Sequence, residues 1–212
     1  MSKRPNDYRL FWQEFRRTFQ STGAVLPSGP ALCRALAAHV PAEGSRRILE
    51  VGPGTGVVTT KIAQQMGPAD TLDIVELNER FVERLQQRMD EEEQFADVRK
   101  RVRIHQMPVQ EFKTEEPFDA IVSGLPLNNF PVDLVNEILS HFERLAAENA
   151  TISFFEYVGV RKAKSLFARQ PERLRLAGIE KSISDICGRL RFDRQCVMAN
   201  VPPAWVHHLR TS

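Results

Sequence analysis

The sequence predicts an α/β domain built on a doubly wound, mostly parallel sheet and preceded by a helical cap. Three observations carry this prediction. Strand-like and helix-like hydrophobic patterns alternate between residues 46 and 156. The first apolar strand ends in a run of glycines. The chain of 212 residues, 42% hydrophobic and 26% charged, has the size and composition of a single globular domain.

Short apolar segments and amphipathic segments define the alternation. Strands are predicted at 48–51, 72–76, 102–104, 118–122 and 151–155. Helices are predicted at 57–66, 80–89 and 134–145, where apolar residues recur with the helical period. This order implies right-handed crossovers and helices on both faces of the sheet. Edge strands at 195–201 and 205–209, joined through Pro202 and Pro203, bring the sheet to about seven strands, with the last one antiparallel.

Residues 1–45 are predicted to form a separate amphipathic helical cap, followed by one domain over 46–212. On a helix, several aromatic residues fall on one arc, and arginines flank it: Tyr8, Phe11, Trp12, Phe15 and Phe19, with Arg9 and Arg16. A second helix is predicted at 30–40. The aromatic face suits an anionic bilayer interface, and it equally suits a lid packed on the sheet.

The charge and the cysteines exclude several classes of protein. A net charge of +2 excludes a polycationic chain that holds nucleic acid by bulk charge. Cys33, Cys187 and Cys196 lie far apart, so we expect no metal site, no disulfide framework and a reducing cytoplasm. No apolar run has the length that a membrane-spanning helix needs. Four histidines show no ligand spacing and are predicted at the surface: His39, His141, His207 and His208.

The sharpest motif is the glycine-rich turn at 50–56, between the first strand and the following helix. Its glycines let the backbone approach a ligand, and the helix N-terminus offers free N–H groups. Glu76 ends the next strand, where a carboxylate accepts hydrogen bonds from ribose hydroxyls. The spacing differs from the dinucleotide fingerprint, and Glu50 beside the turn would repel a pyrophosphate and attract a cation. S-adenosylmethionine, with an ammonium and a sulfonium, fits this pattern.

Residues 46–156 resemble class I S-adenosylmethionine-dependent methyltransferases. The resemblance lies in the glycine-rich turn, in Glu76 and in the strands to which they belong. The resemblance implies a Rossmann-like sheet and S-adenosylhomocysteine as the product, with no metal. Many such enzymes place an Asp at the position of Met107. Here, adenine recognition is expected to rest on backbone groups and on Met107 and Val109. The implied cofactor-binding residues are Val25, Leu26, Glu50, Gly52, Pro53, Gly54, Thr55, Gly56, Glu76, Leu77, Met107, Pro108, Val109, Ser123, Gly124, Leu125 and Pro126.

The loop at 123–131 indicates the class of amine. Nucleobase N-methyltransferases typically carry here an Asn or Asp and an aromatic ring that stacks on the base. Gly124 and Leu127 take those places, which favours an aliphatic amine. This loop, with the stretches 22–28 and 200–204, resembles bacterial phospholipid (phosphatidylethanolamine) N-methyltransferases. The more distant resemblance to ribosomal RNA adenine dimethylases implies the cofactor-lining role of Val25 and Leu26.

These resemblances imply methyl transfer to the amine of a membrane aminolipid, with phosphatidylethanolamine as the first choice. Tyr157 and Glu156 are the candidates to bind or deprotonate the amine, since a free alkylamine titrates near pH ~10. Arg161, Lys162 and Lys164 either hold a lipid phosphate or form a solvated helix face.

The expected location is the cytoplasm, on the inner face of the membrane, with the N-terminal helix on an anionic lipid surface and no nucleic-acid partner. Three alternatives stay open. One is methylation of another aminolipid, such as an ornithine lipid. Another is methylation of adenine in RNA or DNA. The last is a protein that binds cofactor or membrane without catalysis.

Overall fold

A computed structural model describes residues 29–41, 44–158 and 170–212 of the chain. The described strands are β1 (Arg47–Val51), β2 (Thr71–Glu76), β3 (Val102–Gln106), β4 (Phe118–Ser123), β5 (Ala146–Tyr157), β6 (Arg191–Val197) and β7 (Ala204–Arg210). They form one sheet with the order β3-β2-β1-β4-β5-β7-β6. The predicted aromatic helix, Val25, Leu26 and the basic residues at 161–164 lie outside the described residues.

Helices cover both faces of this sheet. They are α1 (Pro30–Ala37), α2 (Val57–Ala63), α3 (Glu79–Glu91), α4 (Val132–Leu145) and α5 (Gln170–Leu190). Side chains of α1, α2 and α3 share one buried apolar cluster with the sheet, and side chains of α4 and α5 share the other. The prediction of a doubly wound α/β sheet is therefore confirmed.

The strand sequences explain why the sheet is covered on both sides. The central strands β1, β2 and β4 are buried along almost their whole length. Near-continuous burial is typical of parallel strands that lie between two helical layers. Strands β1 to β5 are parallel, whereas β7 is antiparallel to both β5 and β6. The predicted antiparallel last strand is confirmed.

The register brings the ends of the parallel strands to one side of the sheet, which we call the carboxyl edge. Val51 pairs with Val75 and with Ser123, and Ser123 pairs in turn with Phe154. Residues that follow these positions share that edge, where open α/β sheets bind their ligands. The glycine turn, the loop after β4 and the end of β5 therefore lie close together.

Helix α1 confirms the predicted second helix and is integrated into the sheet domain. Pro30 occupies its first turn, where a missing N–H costs little. Leu32 and Leu36 are fully buried. The N–H of Gly29 donates to Oδ1 of Asn200 at 3.0 Å, which places the start of α1 beside the β6–β7 turn.

Helix α5, 21 residues long, has no counterpart in the sequence prediction. A signal was present, because its buried residues recur at helical spacing: Leu176, Ile179, Ile183 and Ile186. Among the described helices, none combines the length and the apolar character needed to cross a bilayer.

Candidate active site

The glycine turn joins β1 to α2 at the carboxyl edge. Gly52, Gly54 and Gly56 have φ values of +67°, +57° and +79°. A Cβ atom on Gly52 would lie 2.5 Å from Cδ2 of Leu125, so a side chain would displace its neighbour there. A Cβ atom on Gly54 would meet no atom of the described residues within 4 Å, because this glycine faces open space among them. The turn therefore presents bare backbone to a ligand at Gly54.

Glu76, the last residue of β2, lies beside this turn. Its carboxylate accepts hydrogen bonds from the N–H groups of Gly54 at 3.3 Å and Asn78 at 2.8 Å. Asn78 in turn caps α3, because its Oδ1 accepts from the N–H of Arg80 at 3.1 Å. These bonds hold the carboxylate at the edge, in the position that the ribose assignment requires.

Glu50 has different surroundings. It is 1% exposed, and neither carboxylate oxygen meets a hydrogen-bond partner of normal geometry among the described residues. Burial, with the nearby Glu76 carboxylate, raises the pKa of Glu50 to about 8, although the neighbouring Thr59 hydroxyl opposes the rise in part. A cation at the turn would compensate a charge on Glu50. This buried acid and the open space at Gly54 fit a nucleoside that carries an ammonium and a sulfonium.

The segment after β3 contributes apolar surface to the same edge, because the ends of β2 and β3 pair in register. Leu77 and Met107 are partly buried and pack against the cluster of α4 and α5. Pro108 is half-buried, and Val109, at 3% exposure, begins a short 3₁₀ turn. Apolar side chains and backbone groups are thus what this segment offers to an adenine ring.

The loop after β4 is tied directly to the glycine turn. The N–H of Gly124 donates to the carbonyl of Val51 at 2.8 Å. A Cβ atom on Gly124 would lie 2.5 Å from the carbonyl oxygen of Gly52, so the two backbones approach too closely for a side chain. Ser123 is fully buried, and its Oγ accepts from the N–H of Leu125 at 3.3 Å. The two segments form one continuous rim, which the half-buried Pro126 extends.

Further along the loop, an arginine that sequence reasoning missed fixes the backbone. Arg175 of α5 donates from Nη1 to the carbonyls of Asn128 at 3.1 Å and Phe130 at 2.6 Å. Nε of the same guanidinium donates a hydrogen bond to Oε2 of Glu172 at 2.8 Å. Leu127 is 1% exposed and packs in the core. Leu127 takes the position at which nucleobase methyltransferases carry a stacking ring, and its side chain points into the core.

A second missed arginine, Arg88 of α3, braces the glycine turn. Its Nη1 donates to the carbonyl of Thr55 at 2.8 Å, and its Nη2 donates to Oγ1 of Thr60 at 3.0 Å. An ion pair with Glu92 at 2.7 Å orients the guanidinium. Thr55 itself is exposed, whereas Pro53 is buried. On an amphipathic helix, the sequence pattern does not distinguish such an arginine from a solvated one.

Glu156, near the end of β5, forms a largely buried polar pair with His207 of β7. Nε2 of His207 lies 3.1 Å from Oε1 of Glu156, and the two side chains are 3% and 12% exposed. The His207 ring stacks on Phe154 with centroids 5.2 Å apart, and its Nδ1 lies 3.5 Å from Sγ of Cys187. A carboxylate bonded to an imidazole is an arrangement that accepts and donates protons.

The structure does not bring the two catalytic candidates together. Neighbouring residues of a strand point to opposite faces, so Tyr157 lies across the sheet from Glu156. The Tyr157 ring packs edge-on against Phe155 at 5.2 Å and contacts the cluster of α1, α2 and α3. Burial raises the pKa of its phenol, so the phenol stays protonated near neutral pH and is not available to accept a proton.

Three of the four histidines predicted at the surface are buried, so that prediction was wrong. The exposed fractions of His141 and His207 are 7% and 3%, and His208 is fully buried. The side chain of His39, in contrast, is 31% exposed. Strand β7 pairs with β5 along one edge and with β6 along the other. Its two faces are covered by the two helical layers. His141 lies on the inner side of α4, where its Nε2 bonds to the carbonyl of Phe112 at 3.0 Å. Isolated histidines carry no periodic signal from which burial can be predicted.

Comparisons with known proteins agree with this geometry. A family model described as a methyltransferase domain matches residues 48–149. An ornithine lipid N-methyltransferase of Singulisphaera acidiphila is 29% identical over 147 residues, which cover 69% of this chain and 76% of the relative. A tRNA1(Val) (adenine(37)-N6)-methyltransferase of Yersinia pestis is 31% identical over 93 residues, covering 43% of this chain and 36% of the relative.

Solved structures share the fold. The O-methyltransferase TomG of Streptomyces achromogenes, solved in complex with S-adenosylmethionine, superposes with a TM-score of 0.63 at 18% identity, over 93% of this chain and 86% of TomG. The methyltransferase-domain match covers the glycine turn, Glu76 and the loop after β4. Domain match, fold and site thus coincide: residues 48–149 carry a methyltransferase domain, and the described sheet has the fold of class I S-adenosylmethionine-dependent methyltransferases.

Proposed function

We propose that this methyltransferase acts on the primary amine of a membrane aminolipid. The observation that carries the proposal is the match to the ornithine lipid N-methyltransferase, which extends over 69% of this chain. The match to the tRNA methyltransferase covers only 43% of this chain. An ornithine head group follows from the relative's name, and phosphatidylethanolamine follows from the resemblance of the loop at 123–131. Both lipids present a primary aliphatic amine.

The loop after β4 supports an aliphatic amine over a planar base. The carbonyl groups of this loop are hydrogen-bond acceptors that suit an amine. Leu127 is buried in the core and provides no ring on which a base would stack. The proposal therefore assigns the loop to orienting a small amine rather than a flipped nucleobase.

Exposed apolar side chains near the carboxyl edge support a lipid surface as the partner. Met198 and Val201, in the turn between β6 and β7, are 69% and 75% exposed. The N–H of Val158 donates to the carbonyl of Pro203 at 2.7 Å, so this turn adjoins the end of β5. Leu174 of α5, 66% exposed, is next to the arginine that holds the β4 loop. We propose that these side chains enter the bilayer on the cytoplasmic face of the membrane.

The amine must lose a proton before it reacts, because an alkylamine titrates near pH ~10. We assign Glu156, bonded to His207, as the acceptor of that proton, since it lies at the end of β5 beside the loop. Glu50, Glu76 and the glycine turn hold S-adenosylmethionine, which supplies an electrophilic methyl group when bound. The chain's further contribution is to position the amine and exclude water.

Methyl transfer to vesicle lipid tests this proposal. Purified protein is incubated with methyl-labelled S-adenosylmethionine and vesicles that contain either phosphatidylethanolamine or an ornithine lipid. We expect label in at least one lipid and a fall in kcat of at least tenfold for Glu156→Gln, with little change in cofactor affinity. No label in either lipid would refute the proposal, and the more strongly labelled lipid identifies the head group.

Sedimentation with anionic vesicles tests the lipid-facing surface separately. Leu174→Glu, Met198→Glu and Val201→Glu should each weaken vesicle binding, because each puts a charge in the bilayer interface. Phe192→Glu is the matched control: Phe192 is 42% exposed but lies at the far end of β6 from the turn. Equal loss for the control and the three variants would contradict this surface.

The second candidate function is N6-methylation of adenine in RNA. It is favoured by the 31% identity to the tRNA methyltransferase over 93 residues. Label in RNA but not in lipid would establish it.

A further inference from the structure

A second group of candidate ligands lies away from the carboxyl edge, where the residues after α1 meet β6 and β7. One nitrogen of His39, one of His208 and one carboxylate oxygen of Asp193 lie within 4.8 Å of one another. Nε2 of His39 is 2.8 Å from Oδ2 of Asp193, and the two imidazole centroids are 4.3 Å apart. Within residues 29–41, 44–158 and 170–212, no other trio of His, Cys, Asp or Glu side chains meets this spacing.

His208 supplies an independent observation that points to a ligand. The side chain is fully buried. Its Nδ1 is 2.8 Å from Oγ of Ser153, whereas its buried Nε2 has no hydrogen-bond partner among the residues that the structure describes. A buried polar atom with no partner is rare in native proteins and calls for a bound group. With Nδ1–H donating to Oγ of Ser153, this hydrogen bond fixes the ring, as an outer hydrogen bond does for a metal-bound histidine, and leaves the lone pair of Nε2 for the ion.

The chemical types of the donors in this cluster suit a cation. His39 and His208 each offer an imidazole nitrogen, and Asp193 offers a carboxylate oxygen. His39 and Asp193 are 31% and 39% exposed, so solvent reaches the cluster from their side.

We propose that His39, Asp193 and His208 bind a divalent transition-metal ion, with Zn²⁺ as the type ion and water as the fourth ligand. Two imidazole nitrogens and one carboxylate oxygen form a donor set that Zn²⁺ accepts in tetrahedral geometry. The donors belong to three segments, so the ion links the residues after α1 to β6 and β7. Sequence spacing gives no sign of the site, because 154 residues separate His39 from Asp193.

The ion takes no direct part in methyl transfer. Ser153, which holds His208, precedes Tyr157 by four residues, about 13 Å along the strand. The proposed role is to fix the position of α1, whose first turn adjoins the carboxyl edge. Zn²⁺ should therefore raise the melting temperature without changing the affinity for S-adenosylmethionine.

Titration of Zn²⁺ into chelator-stripped, tag-free protein tests the site, with Co²⁺ absorption as a second readout. We expect saturable binding of one ion per chain with a tetrahedral Co²⁺ spectrum. His39→Ala and Asp193→Ala should each weaken Zn²⁺ binding at least tenfold. Both positions are partly exposed, so these variants are expected to fold, which circular dichroism checks.

His105→Ala is the matched control for a histidine paired with an aspartate. Nε2 of His105 lies 2.6 Å from Oδ1 of Asp73, but the described segments bring no third ligand to this pair. The control should bind Zn²⁺ as the wild type does. Absence of saturable Zn²⁺ binding, or binding that both His39→Ala and Asp193→Ala retain, would overturn the proposal. Loss in only one of these two variants would overturn the three-ligand arrangement.

Discussion

Two carboxylates flank the glycine turn in different surroundings. Glu76 accepts hydrogen bonds from two backbone N–H groups, and such bonds stabilise a charged carboxylate. In the described part of the chain, no hydrogen bond of normal geometry reaches the buried carboxylate of Glu50, and burial raises its pKa to about 8. We therefore expect Glu76 to act as a fixed acceptor and the charge on Glu50 to depend on a bound cation.

Replacing Glu76 by alanine should weaken S-adenosylmethionine binding about tenfold to a hundredfold. Hydrogen bonds to a charged acceptor contribute about 1.5–3 kcal/mol, and the variant also removes the bond that holds Gly54. Isothermal titration calorimetry measures the change. Glu79→Ala, an exposed acid at the start of α3, is the control and should bind normally. Unchanged affinity of Glu76→Ala would refute the ribose assignment.

Gly54→Val should abolish cofactor binding and leave the sheet folded. Gly54 has φ +57° and faces open space, so a valine meets no protein atom but occupies the ligand's approach. Gly44→Val is the matched control, because Gly44 has φ +97°, also faces open space and lies outside the turn. Circular dichroism and calorimetry on both variants separate backbone strain from loss of the site. If both variants bind the cofactor equally well, the turn is not the site.

Glu50→Gln should change how stability depends on pH in the absence of cofactor. The pKa of Glu50 rises from an ordinary 4.5 to about 8 on folding, so the native state binds the extra proton between these values. Stability from this group is complete below pH 4.5 and is lost as pH rises through 8, with a slope of at most about 1.4 kcal/mol per pH unit. Urea unfolding from pH 5 to 9 should show this loss in the wild type and not in the variant. Parallel curves for the two proteins would contradict the assigned pKa.

At the scale of elements, the carboxyl edge is assembled by bonds between segments distant in sequence. Arg88 of α3 holds the glycine turn, and Arg175 of α5 holds the loop after β4. Gly124 joins that loop to β1. The site is therefore positioned by regular elements rather than by the loops themselves, which is how precise sites are generally supported.

The aromatic helix predicted at the N-terminus has a testable role of its own. Removing residues 1–19 should abolish binding to anionic vesicles and activity on vesicle lipid, because aromatic and basic side chains together favour the interface. Binding by the full chain should rise with the anionic lipid fraction and fall with salt. Cofactor binding should survive in part. Equal vesicle binding by the truncated and full-length chains would assign the helix to a lid.

At the scale of the whole molecule, the sequence predicts those features that a local pattern of residues determines. Strands β1, β2 and β4 are predictable because helices cover both faces and make them continuously apolar. The glycine turn directly follows β1 and Glu76 ends β2, so both are predictable from these strands. The parallel order then places them at one edge.

Features that depend on convergence of distant segments were not predictable. Glu156 meets His207 across 51 positions, and Arg175 meets Phe130 across 45. The burial of His208 follows from the pairing of β7 on both sides, which no local pattern records. Leu127 was interpreted as a replaced stacking position, yet its side chain lies in the core.

The measurement that tests the central claim most directly is a competition between substrate classes. The full chain is incubated with methyl-labelled S-adenosylmethionine, vesicles of total lipid and total RNA in one reaction, and the fractions are separated and counted. We predict label in the lipid fraction, in a band that behaves as an N-methylated aminolipid, and its loss in Gly54→Val. Label confined to the RNA fraction would contradict lipid methylation.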